Sequence, residues 1–407
     1  MDLVTSTRNS DLGDLVPILQ REHDVQLDAV VPAQAITSIG GVLHVAGLGV
    51  FGDTLETIDQ PGPGQFIPTA AMDGQIAESL GVPVKYLRRL RAERIDLYDI
   101  NVNAWLQGRA GDPDGLPEIG PDGRSFLFRS FRDPEGGIGI GRALLSDHYK
   151  RHDNLDFLLG ALRGVKESGV HCDIYNCDLS ELRMVVRFHC PEVKVVAQAL
   201  LANYRDPFEG GQIARWRGIA GREGMAYTPG TEPIISAGWT ISNSETGGGA
   251  TTIVPEVTVE ICKNRLRITQ DILRSIHLGG RNEDGVIDWS SETERLALAL
   301  TTSKTTDAIK TFCNVEYLSK VVAALEEKAS KRLSDPGKAV EIVANQLSFT
   351  EAEQADLLTL FINGGQSTAG GILQACSALA QTVESPDRAY EIEGLCMKSL
   401  ELAYAAA

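Results

Sequence analysis

The chain has 407 residues, 43% hydrophobic and 23% charged, enough apolar material for one large domain or two to three ordinary ones. Its formal net charge of −17 works against long-range attraction to nucleic acid or anionic lipid, so a polyanion has to be met by a local basic patch. No run approaches the ~20 apolar residues of a membrane span, and the N-terminus lacks a basic-then-apolar signal. Seven cysteines suit a reducing compartment better than a disulfide framework, which points to the cytoplasm.

Residues 1–35 are polar and acidic with weak periodicity and are expected to form a leader or arm. Residues 36–110 read as a strand followed by a helical block. Gly47, Gly49 and Gly52 have dinucleotide-fingerprint spacing, but Pro61 and Pro63 interrupt the stretch where a helix should run, so a tight turn is expected and no cofactor. Helices begin near Thr69. Gln75 to Leu90 has the layout of a helix-turn-helix, with Gly81 at the turn and Leu87 and Leu90 as apolar anchors. Its second helix then exposes Lys85, Arg88, Arg89 and Arg91, either as a DNA-reading face or as solvated charge on a helical hairpin.

Residues 111–288 read as an α+β core. Phe126 to Arg132 alternates as a strand. Asp147, His148, His152 and Asp153 are groups that two-metal hydrolysis could use, but Asp and Asn before a helix starting at Asn154 favour capping. That helix, Asn154 to Ser168, carries Leu155, Leu158, Leu159, Leu162 and Val165 on one face. A hairpin follows, Val170 to Cys177 and Leu182 to Cys190. Met184, Val186 and Phe188 point one way, and Arg183, Arg187 and His189 the other, with Tyr175 across from them. Cations and flat rings on one sheet face are what single strands of nucleic acid need. His171, Cys172, Cys177, His189 and Cys190 are soft ligands, yet strand neighbours face opposite sides and no Cys-x-x-Cys is present, so no metal is expected. Trp239 to Ile268 reads as two strands around a Ser/Gly-rich break, with one buried face. From 289 to 407 the chain is helical. Thr350 and Glu353 form a capping box, Gly364-Gly365 a stop, and Ser385-Pro386 a new start. No nucleophile triad can be assembled from spacing alone.

Several stretches share a style in this order: Leu80 to Leu90, Asn101-Val102-Asn103, Ala143 to Asn154, Asn243-Ser244-Glu245 with Gly247, and Cys262 with Asn264. Together, over roughly residues 40 to 400, they resemble the phage/plasmid-like protein family, a domain of unknown function carried on mobile elements. The chain departs from that pattern at Cys262-Lys263-Asn264-Arg265, where the family tends to Cys-Thr-Asn-Gly. The resemblance implies a phage- or plasmid-encoded protein in a bacterial cytoplasm, with a core distantly similar to single-strand annealing recombinases of the RecT and Rad-fifty-two type.

The expected fold is α+β, a mixed or antiparallel sheet with β-hairpins, a helical N-terminal insertion and a helical C-terminal region. The expected function is non-catalytic binding and annealing of single-stranded DNA, as an oligomer. Arg183, Arg187, Lys263, Arg265 and Arg267 are the candidates for backbone contacts, with Tyr175 and Trp239 for stacking. The alternative is a DNA- or partner-binding regulator using Lys85, Arg88, Arg89 and Arg91. A metal-dependent nuclease using Asp147, His148, His152 and Asp153 is third. Single-stranded DNA, a second copy of the chain and a host protein are the expected partners, and a membrane is not.

Overall fold

The computed structural model describes residues 6–48, 64–111, 118–149, 152–208, 233–269, 273–275 and 291–407. Gly49, Gly52, Pro61 and Pro63 lie outside the described residues. The N-terminal stretch expected as a leader is instead a clasp between two sheets. Strand β1 (Thr7–Ser10) joins one sheet, helix α1 (Leu12–Val25) follows a side-chain cap from Asp11, and β2 (Gln26–Pro32) joins the other. Weak periodicity hid these elements because β2 is an edge strand, where most side chains stay partly exposed.

The smaller sheet has six strands in the order β2-β6-β7-β5-β4-β3, with β3 (Ile36–Ile39), β4 (Val42–Val45), β5 (Gly64–Pro68), β6 (Ser125–Phe131) and β7 (Gly139–Ser146). Its pairs are antiparallel except β5 with β7. The β5–β7 chain excursion carries three helices, α2 (Ala70–Leu80), α3 (Val84–Glu93) and α4 (Ile95–Leu106). These bury Met72, Ile76, Leu87, Tyr98 and Val102 against Phe66 and Phe128 of the sheet. Asp99 on α4 accepts the N–H groups of Gly40 and Gly41 in the β3–β4 turn, where both glycines have positive φ.

The larger sheet is antiparallel, in the order β1-β8-β9-β10-β11-β12: β8 (Asp173–Leu179), β9 (Met184–Val196), β10 (Ile234–Asn243), β11 (Thr251–Val259) and β12 (Arg265–Arg267), with β13 (Leu273–Ser275) also on β11. Helix α5 (Asn154–Ser168) leads into β8. Among the described residues six helices follow β13: α6 (Ser291–Phe312), α7 (Val315–Ala329), α8 (Pro336–Gln346), α9 (Glu351–Gly364), α10 (Ala369–Thr382) and α11 (Pro386–Ala406). The capping box at Thr350 and Glu353 is formed, Gly365 ends α9 in the left-handed region, and Pro386 starts α11 behind a Ser385 cap. The architecture is α+β.

Two departures from the expected packing have clear causes. On α5 the buried face is Phe157, Leu158, Gly160, Ala161 and Gly164, while Leu159 is exposed. Gly160 and Gly164 let α6 approach so closely that an added Cβ would come within 3.0 Å of Leu298 and 2.8 Å of Thr305, so small residues won the contact over the leucine stripe. The second departure is that β11 has no exposed residue. Ile253, Val257 and Val259 enter the main apolar core, and the opposite face, with Thr252, Glu256 and Thr258, is covered as well.

The two sheets are joined at the loop after β10. Glu245 accepts the Asn154 N–H and an Arg142 N–H at 2.5 Å each, and its carbonyl accepts from Arg129 at 2.9 Å. The Tyr149 hydroxyl donates to the Ser244 carbonyl, Asn243 to Asn154, and Gln75 to the Thr246 carbonyl. Tyr149, Asn154, Asn243, Ser244 and Glu245 therefore meet at a structural joint. Asn264 is similarly committed: it donates to Tyr204 and Gln374 and accepts from Gln381.

Candidate nucleic-acid interface

Helix α2 starts on a Thr69 cap and ends at Gly81, whose φ of 68° is open to glycine at little cost. Pro83, the N-cap of α3, then restarts the chain after a three-residue turn. Leu87 and Leu90 anchor α3 on the smaller sheet's core, which leaves Lys85, Tyr86, Arg88 and Arg89 outside. The helix-turn-helix layout read from the sequence is thus formed, with three of its four basic residues exposed. Arg88 donates to the Ala70 carbonyl at 2.7 Å, and Arg89 pairs with Glu93 at 2.8 Å across an exposed helical turn. Such an exposed pair is weak and easily exchanged.

Arg91 is the exception. It pairs with the buried Asp73 at 3.3 Å and lies 5.0 Å over the Tyr98 ring, while the Tyr98 hydroxyl donates to Asp73 at 2.8 Å. Burial pushes the Asp73 carboxyl above its ordinary value, and Arg91 and Tyr98 oppose that rise. Arg91 therefore ties α3 to α2 and α4, and as a DNA contact it is corrected. The spacing that separates it from Arg88 turns it toward α4.

The hairpin candidates are placed quite differently. Arg187 is completely buried, pairing with Asp178 at 2.6 Å and Glu393 of α11 at 2.9 Å. Arg265 is buried between Asn176, Glu393 and the Tyr175 ring, and Arg267 donates to the Tyr390 carbonyl while lying 4.0 Å over that ring. Trp239 is buried, stacked on Phe188 with centroids 3.9 Å apart and an interplanar angle of 4°. Arg183 is partly exposed but donates to the Gly248 carbonyl and lies 4.1 Å over Tyr390. Lys263 pairs with Glu260. Burial pushes the Glu260 carboxyl up, yet bonds from His189, Lys263 and Ser236 outweigh it and hold the group at about 2.

The expected stacking surface on the hairpin is therefore corrected: α10 and α11 cover that face, and Arg187 and Arg265 neutralise Asp178, Glu256 and Glu393 instead of facing solvent. Strand alternation placed Met184, Val186 and Phe188 in the core as expected. It could not show that helices 200 residues away would cover the other face.

The four nuclease candidates divide between two places. Asp147 and His148, 3.6 Å apart, line an open cleft of about 670 Å³ together with Gln75, Glu78, Arg124 and Ser146. Asp153 is turned inward onto Arg129 at 2.5 Å. Burial raises the Asp153 carboxyl, and Arg129 with Arg142 brings it below its ordinary value. His152 packs edge-on against Phe157. Asp153 does occupy the N-cap of α5, but its side chain makes no cap bond, because Arg129 has claimed it and Glu245 serves the Asn154 N–H instead. Among the described residues, these four do not gather as ligands of one ion. Sequence reasoning missed Arg129 and Arg142 and gave Glu245 no role at a joint, because their partners lie more than a hundred residues away. No protein-family model matches this chain, and neither curated proteins nor solved structures include a significant match to it.

Proposed function

We propose that this chain is a non-catalytic DNA-binding protein that engages the phosphate backbone through α3, in the manner of a regulator docking on duplex DNA. The observation that carries the reading is that Lys85, Arg88 and Arg89 reach solvent from one short helix anchored behind by Leu87 and Leu90. A chain of net charge −17 needs such a local patch to meet a polyanion. Fluorescence anisotropy with labelled duplex and single-stranded oligonucleotides at several salt concentrations tests it. Duplex affinity should fall with a log–log salt slope of roughly −0.9 per phosphate neutralised, and R88A/R89A should flatten that slope by about two units. Absence of binding to either form at low salt, or an unchanged slope in the double variant, overturns the reading.

Single-strand binding and annealing is the second reading, and its support has moved from the hairpin to α3 and α4. Tyr86 and Trp105 are 48% and 50% exposed, large flat side chains of the kind that stack on unpaired bases. A preference for single strands that weakens in Y86A and W105A favours this reading, and self-association on a long strand would accompany annealing.

A further inference from the structure

Cys172, Cys190 and Cys313 come from the segment before β8, from β9 and from the end of α6, and their sulfurs all lie within 4.8 Å of one another. Sγ of Cys190 is 2.7 Å from that of Cys172 and 3.0 Å from that of Cys313, closer than neutral sulfur atoms pack at rest. Among the described residues this is the only group of three or more His, Cys, Asp or Glu side chains close enough to share an ion. Cys190 and Cys313 are buried, whereas Cys172 is half-buried and gives access.

The expectation that no metal site exists here rested on strand alternation and on the lack of a Cys-x-x-Cys pair. Alternation fails at Cys172, because residues 170–172 precede β8 and are not in a strand. It holds for His189, which neighbours Cys190 and bonds to Ser236 and Glu260 on the other side. Cys177, the remaining soft ligand of the hairpin, is buried in the core outside the cluster. Cys313 was invisible to spacing, since it lies 123 residues from Cys190.

We propose that Cys172, Cys190 and Cys313 bind one thiophilic closed-shell cation, zinc, as three thiolates, with His171, the residue before Cys172 and now 3.7 Å from Asp173, turning in to supply the fourth donor. Three cysteines and one histidine are a common structural zinc set. Binding releases the three thiol protons to solvent, and Zn–S bonds of about 2.3 Å require the sulfurs to spread by about 1 Å from their present spacing. The loop position of Cys172 allows that movement. The ion would clasp the first hairpin of the larger sheet to the end of α6.

The reduced, metal-free protein is titrated with Zn²⁺ against a chromophoric chelator, and with Co²⁺ as a spectroscopic probe. One equivalent should bind, thiolate-to-cobalt charge-transfer absorption should appear, and zinc should raise the melting temperature. C172S, the least buried position, should keep the wild-type circular dichroism and weaken zinc binding at least about tenfold, with a smaller loss in H171A. Failure of the wild type to compete with the chelator, or equal binding by C172S, overturns the proposal. So does a mass two hydrogens lower in air with no zinc uptake after reduction, which would make Cys172 and Cys190 a redox pair instead.

Discussion

Two basic regions of this molecule look alike in sequence and differ completely in space. On α3, Lys85, Arg88 and Arg89 meet solvent, because only the opposite helical face, with Leu87 and Leu90, is needed for packing. On the larger sheet, Arg187, Arg265 and Arg267 alternate away from the apolar core just as cleanly, yet α11 brings Glu393 and Tyr390 down on them. Alternation decides which side of a sheet a residue takes. Whether that side meets water is decided by what packs there, and a guanidinium enclosed in this way must find carboxylates.

The sharpest way to break this contrast is Arg187→Met, which leaves Asp178 and Glu393 buried with a partner removed. Urea denaturation should show a loss of about 3–5 kcal/mol. A loss below about 1 kcal/mol, the range of exposed pairs, would mean that the face is hydrated and that α11 does not seal it. On the apolar side of the same strand, Phe188→Ala removes a fully enclosed ring stacked on Trp239 and should cost about 3–5 kcal/mol. Equal losses on the two sides would show that both are interiors.

The joint between the sheets supplies an intermediate case. Glu22 on α1 is buried, and desolvation with repulsion from Glu245 raises its carboxyl from 4.5 to about 7, against the pull of Arg142 and Arg21. A carboxyl raised in the folded state contributes stability that is fully present below its unfolded value of 4.5 and is lost as pH rises through about 7. Glu22→Gln should therefore be more stable than the wild type at pH 8, by on the order of 2 kcal/mol, with the difference shrinking toward pH 5. A pH-independent difference in denaturation midpoints would show that Glu22 stays ionised in the fold.

The smallest stability effect is expected on α3. Arg88→Ala and Arg89→Ala should each change unfolding free energy by no more than about 0.5 kcal/mol, as for other exposed substitutions. If they act on DNA affinity while Arg187→Met acts on folding, the two basic regions have separate roles. A large folding loss in R88A would instead make its bond to the Ala70 carbonyl structural and weaken the case for α3 as a contact surface.

Local signals in the sequence were sufficient wherever the cause of a structure lies within a few residues. The caps at Thr69, Thr350 and Ser385, the turn at Gly81, the exact span of α5 and the inward set Met184, Val186 and Phe188 all follow from neighbours along the chain. The exposed basic face of α3 belongs with these, apart from Arg91, whose partner Asp73 sits on another helix. What only the tertiary structure decided is the fate of polar groups whose partners are remote. Arg187 meets Glu393 from 206 positions away, and Glu245 reaches Arg142 across 103. Residues 6–35 show the same limit, since a short edge strand carries little periodicity and gains its place only by pairing with β6 or β8. Periodicity reports which side chains share a face, whereas burial of that face is a property of the whole chain's closure.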